Sequence, residues 1–160
     1  MVVASGEGLG ALLCMKANEV MKDDILLDGF NSIVVVTSVG ETTNMQQDYI
    51  RARFGNQLPE TYLPEQLRPL PLSDEVIRKS NIPDYCNGEG CACTPGNYSL
   101  YVNGMRVELK KVAGSDWRLS VFSELPLSNY DCYLQSMHQL QHALTDQRVP
   151  LEISMIINSI

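Results

Sequence analysis

Five prolines, at positions 59, 64, 69, 71 and 83, punctuate residues 58–83 and limit what this part of the chain can become. Each fixes its own φ, removes a backbone donor and pushes the preceding residue toward extended geometry, so neither a long helix nor a central strand can run through them. One short helix fits between them, capped by Ser73 and covering 74–79. Apolar side chains still recur here, at Leu58, Tyr62, Leu63, Leu67, Leu70 and Leu72, more than a disordered linker carries. The stretch is expected to be an extended arm lying over its own domain or across a neighbouring subunit. The second is favoured, because long irregular segments inside compact domains are uncommon and often functional.

On either side the pattern is that of an α+β domain. An amphipathic helix is expected over 9–22, with Leu9, Leu12, Leu13 and Val20 on one side, followed by turns at Asp23-Asp24 and Asp28-Gly29. The β-branched run at 33–38 predicts a central strand covered on both faces. A second helix is expected from Thr42 or Thr43 to Arg53 or Phe54, packing Met45, Tyr49 and Ala52 inward. Residues 98–123 alternate strongly, with Asn103-Gly104 at the first reversal and Trp117, Leu119 and Val121 on the third run, which predicts an antiparallel meander with one wet face. Ser128 or Asn129 is expected to cap a third helix carrying Tyr130, Tyr133, Leu134, Met137, Leu140 and Leu144 as one stripe. The alternation of Leu151, Ile153, Met155 and Ile157 predicts a last strand over 150–158. The expected fold is thus one domain over 1–160: an antiparallel or mixed sheet packed by about three helices, with the arm and a cysteine loop occupying 57–96.

Three of five cysteines fall in that loop, at Cys86, Cys91 and Cys93. The first two have a spacing found in zinc sites, and a fourth ligand would come from Cys132, His138, His142 or another subunit. A disulfide from Cys86 to Cys91 or Cys93, and plain free thiols, fit the same spacing. His138 and His142 share a helix face, but Gln139 stands where a catalytic zinc motif places glutamate, so partly exposed polar residues are the simpler reading. Gly6, Gly8 and Ala11 match a dinucleotide-binding pattern, yet Glu7 would set negative charge beside the phosphates and the later chain lacks repeated strand–helix alternation.

Twelve Lys and Arg against nineteen Asp and Glu leave a charge of −7, and the basic residues do not cluster, so nucleic acid is not an expected partner. No long apolar run or basic leader precedes the glycines at 6–10, so neither a membrane partner nor export is expected, and the chain is placed in the cytoplasm or in a virion assembled there. No nucleophile elbow or phosphate loop is present. The leading expectation is a non-catalytic assembly subunit without a cofactor, for example a virion head–tail connector or tail component, or a secretion-machine adaptor. It would act as a homo-oligomer or within a larger assembly, through the six apolar arm residues and the 150–158 edge at Ile153, Met155 and Ile157. Two rivals are a small zinc module built on Cys86, Cys91, Cys93 and Cys132, and a nucleotide-binding enzyme.

Overall fold

A computed structural model describes residues 20–42, 47–80, 82, 92–114, 116–124 and 127–151. They are divided between two compact units, one reaching Leu70 and the other starting at Pro71. The fold is α+β, with two antiparallel sheets and a small helical component.

The first unit is built on β1 (Ile25–Leu27), β2 (Ile33–Thr42), β3 (Gln47–Arg53), β4 (Glu60–Tyr62) and β5 (Arg68–Pro69). Their order is β4-β3-β2-β1-β5, so the β-branched run lies at the centre. Val34 and Val36 of β2 turn to one face and pack with Leu26, Ile50, Ala52 and Leu67 in a core that also takes Val20. The ladder slips between Val36 and Ser38, a local irregularity in an otherwise regular pairing with β3.

In the segment expected as a second helix, Thr42 ends β2, residues 43–46 lie outside the described residues, and 47–53 form strand β3. Ile50 and Ala52 point inward while Arg51 and Arg53 alternate with them, a period of two rather than 3.6. The long edge of β2 supplies β3 with a ladder reaching from Val35↔Arg53 to Thr42↔Gln47. The expected helix over 9–22 lies outside the described residues except at its end, where Val20 to Lys22 are not helical.

Between β1 and β2 the turn is organised by one buried carboxylate. Asp28 Oδ1 accepts from the backbone N–H of Phe30 at 2.8 Å and of Ser32 at 2.9 Å. Its own N–H donates to the Ser32 carbonyl at 2.9 Å, and Asn31 adopts φ 61, a conformation asparagine tolerates. Replacing Asp28 with alanine is expected to cost about 1–3 kcal/mol, since it leaves two donors without their acceptor. Asp28→Asn keeps an acceptor oxygen and should cost less, a difference read by chemical denaturation.

In the second unit β6 (Ala92–Thr94), β7 (Asn97–Val102), β8 (Met105–Lys111), β9 (Trp117–Glu124) and β10 (Leu127–Leu134) pair in chain order as an antiparallel meander, of which β7 to β9 are the three strands the alternation predicts. Asn103 at φ 49 and Gly104 at φ 76 form the expected positive-φ turn. Helix α1 (Asp74–Arg78) sits where the prolines leave room, and the Val76 N–H donates to the capping Ser73 hydroxyl at 3.2 Å. Asp74 also accepts from the Gly96 N–H at 2.5 Å and from Tyr98 Oη at 3.1 Å, tying helix to sheet. Burial first, and then this bond to Asp74, push the Tyr98 phenol up to about 12.

The third predicted helix is half strand. β10 covers its first part, and α2 (Met137–Asp146) begins only after Ser136, which is extended at φ −138 and ψ 160. Tyr130, Cys132 and Leu134 alternate with exposed Asn129, Asp131 and Tyr133, so Tyr130 and Leu134 of the expected helical stripe share a strand face while Tyr133 is turned to the other. Eight consecutive residues of β10 pair with β9, and Gln139 closes the new helix start by accepting from the Ser136 N–H at 3.3 Å. Leu140 and Leu144 of α2 share a small apolar interior with Tyr98, Leu100, Val107, Leu109 and Leu119 of the sheet. Trp117 is fully buried, 6.2 Å from Tyr98 between ring centroids. The strand expected over 150–158 lies outside the described residues beyond Leu151.

Candidate functional site on the open face of the second sheet

Strand alternation sends one set of side chains in the second sheet to the core and the other to solvent. Register then stacks the outward set in three rows. Tyr101, Arg106, Phe122 and Asn129 lie side by side across four strands; Ser99, Glu108, Ser120 and Asp131 form the next row; Asn97, Lys110, Arg118 and Tyr133 form the third. Cross-strand neighbours in such rows have Cβ atoms about 5 Å apart, close enough for charge pairing.

The charges are arranged accordingly. Arg106 meets Glu108 at 2.8 Å, Lys110 meets the other oxygen of Glu108 at 3.7 Å, and Arg118 meets Asp131 at 3.2 Å. Asp131 is held below the usual carboxylate range by the Ser120 hydroxyl first and by Arg118 as well. Three cations thus face two carboxylates, and exposed pairs of this kind contribute little to stability. They hold charge at fixed places on the face. A shallow basin of about 380 Å³ lies among Arg106, Glu108, Arg118, Ser120, Phe122, Asn129 and Asp131, with Tyr101, Phe122 and Tyr133 as exposed aromatics on the same face.

One edge of this sheet is β10, and the other is β6. Among the described residues no strand pairs with the outer side of β10. Natural edge strands of this length commonly carry lysine or proline that discourages pairing, and Leu127–Leu134 contains neither. Leu127 and Tyr133 are 78% and 69% exposed, so the edge offers apolar side chains as well as backbone groups.

The residues singled out by sequence are scattered. Cys86 and Cys91 lie outside the described residues; Cys93 is on β6, opposite Tyr98. Cys132 is a half-buried free thiol on β10, not a helix, and its hydrogen bond with the Tyr130 hydroxyl leads the causes, ahead of burial, that push that phenol up to about 12. No three His, Cys, Asp or Glu side chains come together to hold a metal among the described residues. His138 is buried rather than partly exposed, its Nδ1 3.1 Å from the Ser136 hydroxyl and its ring edge-to-face with His142 at 5.7 Å. Of the arm residues, Leu58 is 86% exposed, Tyr62 and Leu63 are half-buried, and Leu67, Leu70 and Leu72 are buried. Ile153, Met155 and Ile157, like Gly6, Gly8 and Ala11, lie outside the described residues.

Sequence reasoning foresaw a wet face but not the Arg118–Asp131–Ser120 group at its edge. The signal was the alternation within 127–134, which a helical reading hides. No family model, curated protein or solved structure matches this chain. No described helix is long and apolar enough to cross a membrane.

Proposed function

We propose that this chain is a non-catalytic assembly subunit that joins other protein chains, copies of itself among them, through the edge and open face of its second sheet. The observation that supports this reading is β10, an eight-residue edge strand with exposed Leu127 and Tyr133 and no lysine or proline. A strand added along that edge gains main-chain hydrogen bonds, and alternate side chains on the open face give the contact its specificity. The ion pairs of Glu108 and Asp131 fix where a partner's charges must fall. In this proposal the chain works as one domain, its proline-rich segment at 57–96 adds contacts at Leu58, and a cytoplasmically assembled virion connector or a secretion adaptor is the setting.

Size-exclusion chromatography with light scattering tests it. The wild type is expected to run as an oligomer or to co-purify with a partner. The Leu127→Lys/Tyr133→Lys variant should run as a monomer with an unchanged far-UV spectrum, since both side chains are exposed. A wild-type chain that stays monomeric and partnerless at every concentration would sink the proposal.

A further inference from the structure

The first sheet ends in two neighbouring turns that each lift a bare hydrophobe into solvent. Phe30, on the β1–β2 turn, is 90% exposed, and Leu58, on the β3–β4 connection, is 86% exposed. Leu27↔Ile33 and Val35↔Arg53 pair close to these reversals, which sets both at the same end of the sheet. The two hairpins are adjacent in strand order, so their tips stand on the order of 10 Å apart, two strand spacings.

Both turns are pinned by arginines from the strands. Arg68 donates to the Asn31 side chain in the first turn. Arg53 donates to the Gly55 carbonyl at 2.5 Å and Arg51 to the Pro59 carbonyl at 3.3 Å, bracketing Leu58. Within the same connection the Gln57 N–H donates to the Phe54 carbonyl at 3.1 Å. None of the three guanidinium groups is in an ion pair among the described residues. Asp28 is buried and occupied by two backbone donors, which leaves Glu60 as the exposed carboxylate on the adjoining strand.

Two apolar tips backed by three arginines that outnumber the exposed Glu60 beside them, on a chain of net charge −7, form a surface of definite polarity. We propose that this end of the first sheet docks on an anionic lipid surface. Phe30 and Leu58 enter the boundary between headgroups and acyl chains, while Arg51, Arg53 and Arg68 meet lipid phosphates. A bilayer fits these observations better than a protein pocket does. Both side chains stand proud on separate turns, so a protein would need two matched cavities, whereas a lipid interface accepts both without shape matching. Turns already held by Asp28 and the arginines lose little freedom on insertion. The acidic remainder of the chain is repelled by the same surface, which enforces one orientation. A membrane partner is not expected from the sequence, because a search for continuous apolar runs misses two tips far apart in the chain.

Co-sedimentation of the full chain with vesicles tests the proposal, comparing pure phosphatidylcholine with phosphatidylcholine containing phosphatidylserine. The wild type is expected to pellet with the anionic vesicles, to be released by high salt, and to bind pure phosphatidylcholine at least tenfold more weakly. Phe30→Ser/Leu58→Ser should lower anionic binding at least tenfold without moving the thermal midpoint, because both side chains are already in water. Arg68→Lys, which keeps the charge, should bind more tightly than Arg68→Gln. A wild type that stays in the supernatant overturns the proposal, as does a double-serine variant that binds like wild type. So does a double-serine variant whose only change is a smaller oligomer in light scattering, which would make this end a protein contact. Leu127→Lys/Tyr133→Lys should leave vesicle binding intact, so failure at β10 and failure at the turns are separable.

Discussion

Replacing Trp117 with alanine is expected to remove about 3–5 kcal/mol of stability, the usual cost of emptying a fully buried aromatic site. Domains are stable by about 5–15 kcal/mol in total, so the variant should stand close to unfolding at ordinary temperature. Trp117 has no exposed surface and contacts the Tyr98 ring across the sheet's inner face. Its indole Nε1 is buried and has no hydrogen-bond partner among the described residues. Trp117→Phe therefore forfeits area but no polar contact and should lose roughly half as much or less. A phenylalanine variant as unstable as the alanine variant would show that the indole makes a bond of its own. Because this is the only tryptophan in the chain, urea denaturation has to be followed by far-UV circular dichroism rather than by indole fluorescence.

Acidification is expected to weaken the fold through His138. Burial first, and the neighbouring His142 second, hold its imidazole down at about 4 against an ordinary value of 6.5. Between those two values the unfolded chain binds a proton that the native chain refuses, so stability is complete above about 6.5 and falls as the pH drops toward 4. From pH 7.5 to pH 5 the loss should be on the order of 2 kcal/mol. The charged ring would also lie in the first turn of α2, where the helix dipole disfavours a cation, beside the Ser136 hydroxyl at the helix start. His138→Gln keeps a polar group there but cannot titrate. Its urea midpoint should change far less than the wild type's over that range, and equal slopes in the two proteins would exclude His138 as the source.

Where the sequence was legible, one local signal had one reading. Asn103-Gly104 between alternating runs admits little besides a hairpin, and Ser73 between prolines leaves room only for a short helix. The errors fell where two periods coincide. Tyr130 and Leu134 in β10 are four apart, a spacing that fits a strand face as well as a helix face, and in β3 Ala52 pairs with Tyr49 at helical spacing but with Ile50 at strand spacing. What decides is the neighbouring ladder, offered by β2 in one case and β9 in the other, and that is a tertiary fact. The same shift moved His138 from a helix margin to the first turn of α2, turning a half-exposed residue into a buried one. The open face was legible as polar, but its rows depend on a register that no single strand records.

The two sheets also differ in when they can be finished. Every strand of the meander pairs with the strand made just before it, so each step closes a short loop. The first sheet cannot close that way, because Leu26 waits for Pro69, and the core that Leu26 enters waits for Leu67. During synthesis, β1 to β3 leave the ribosome with that side of their core open until the proline-rich segment, which carries β4, Leu67 and β5, follows. Those prolines, already biased toward extended geometry, shorten the search for the last strand to arrive.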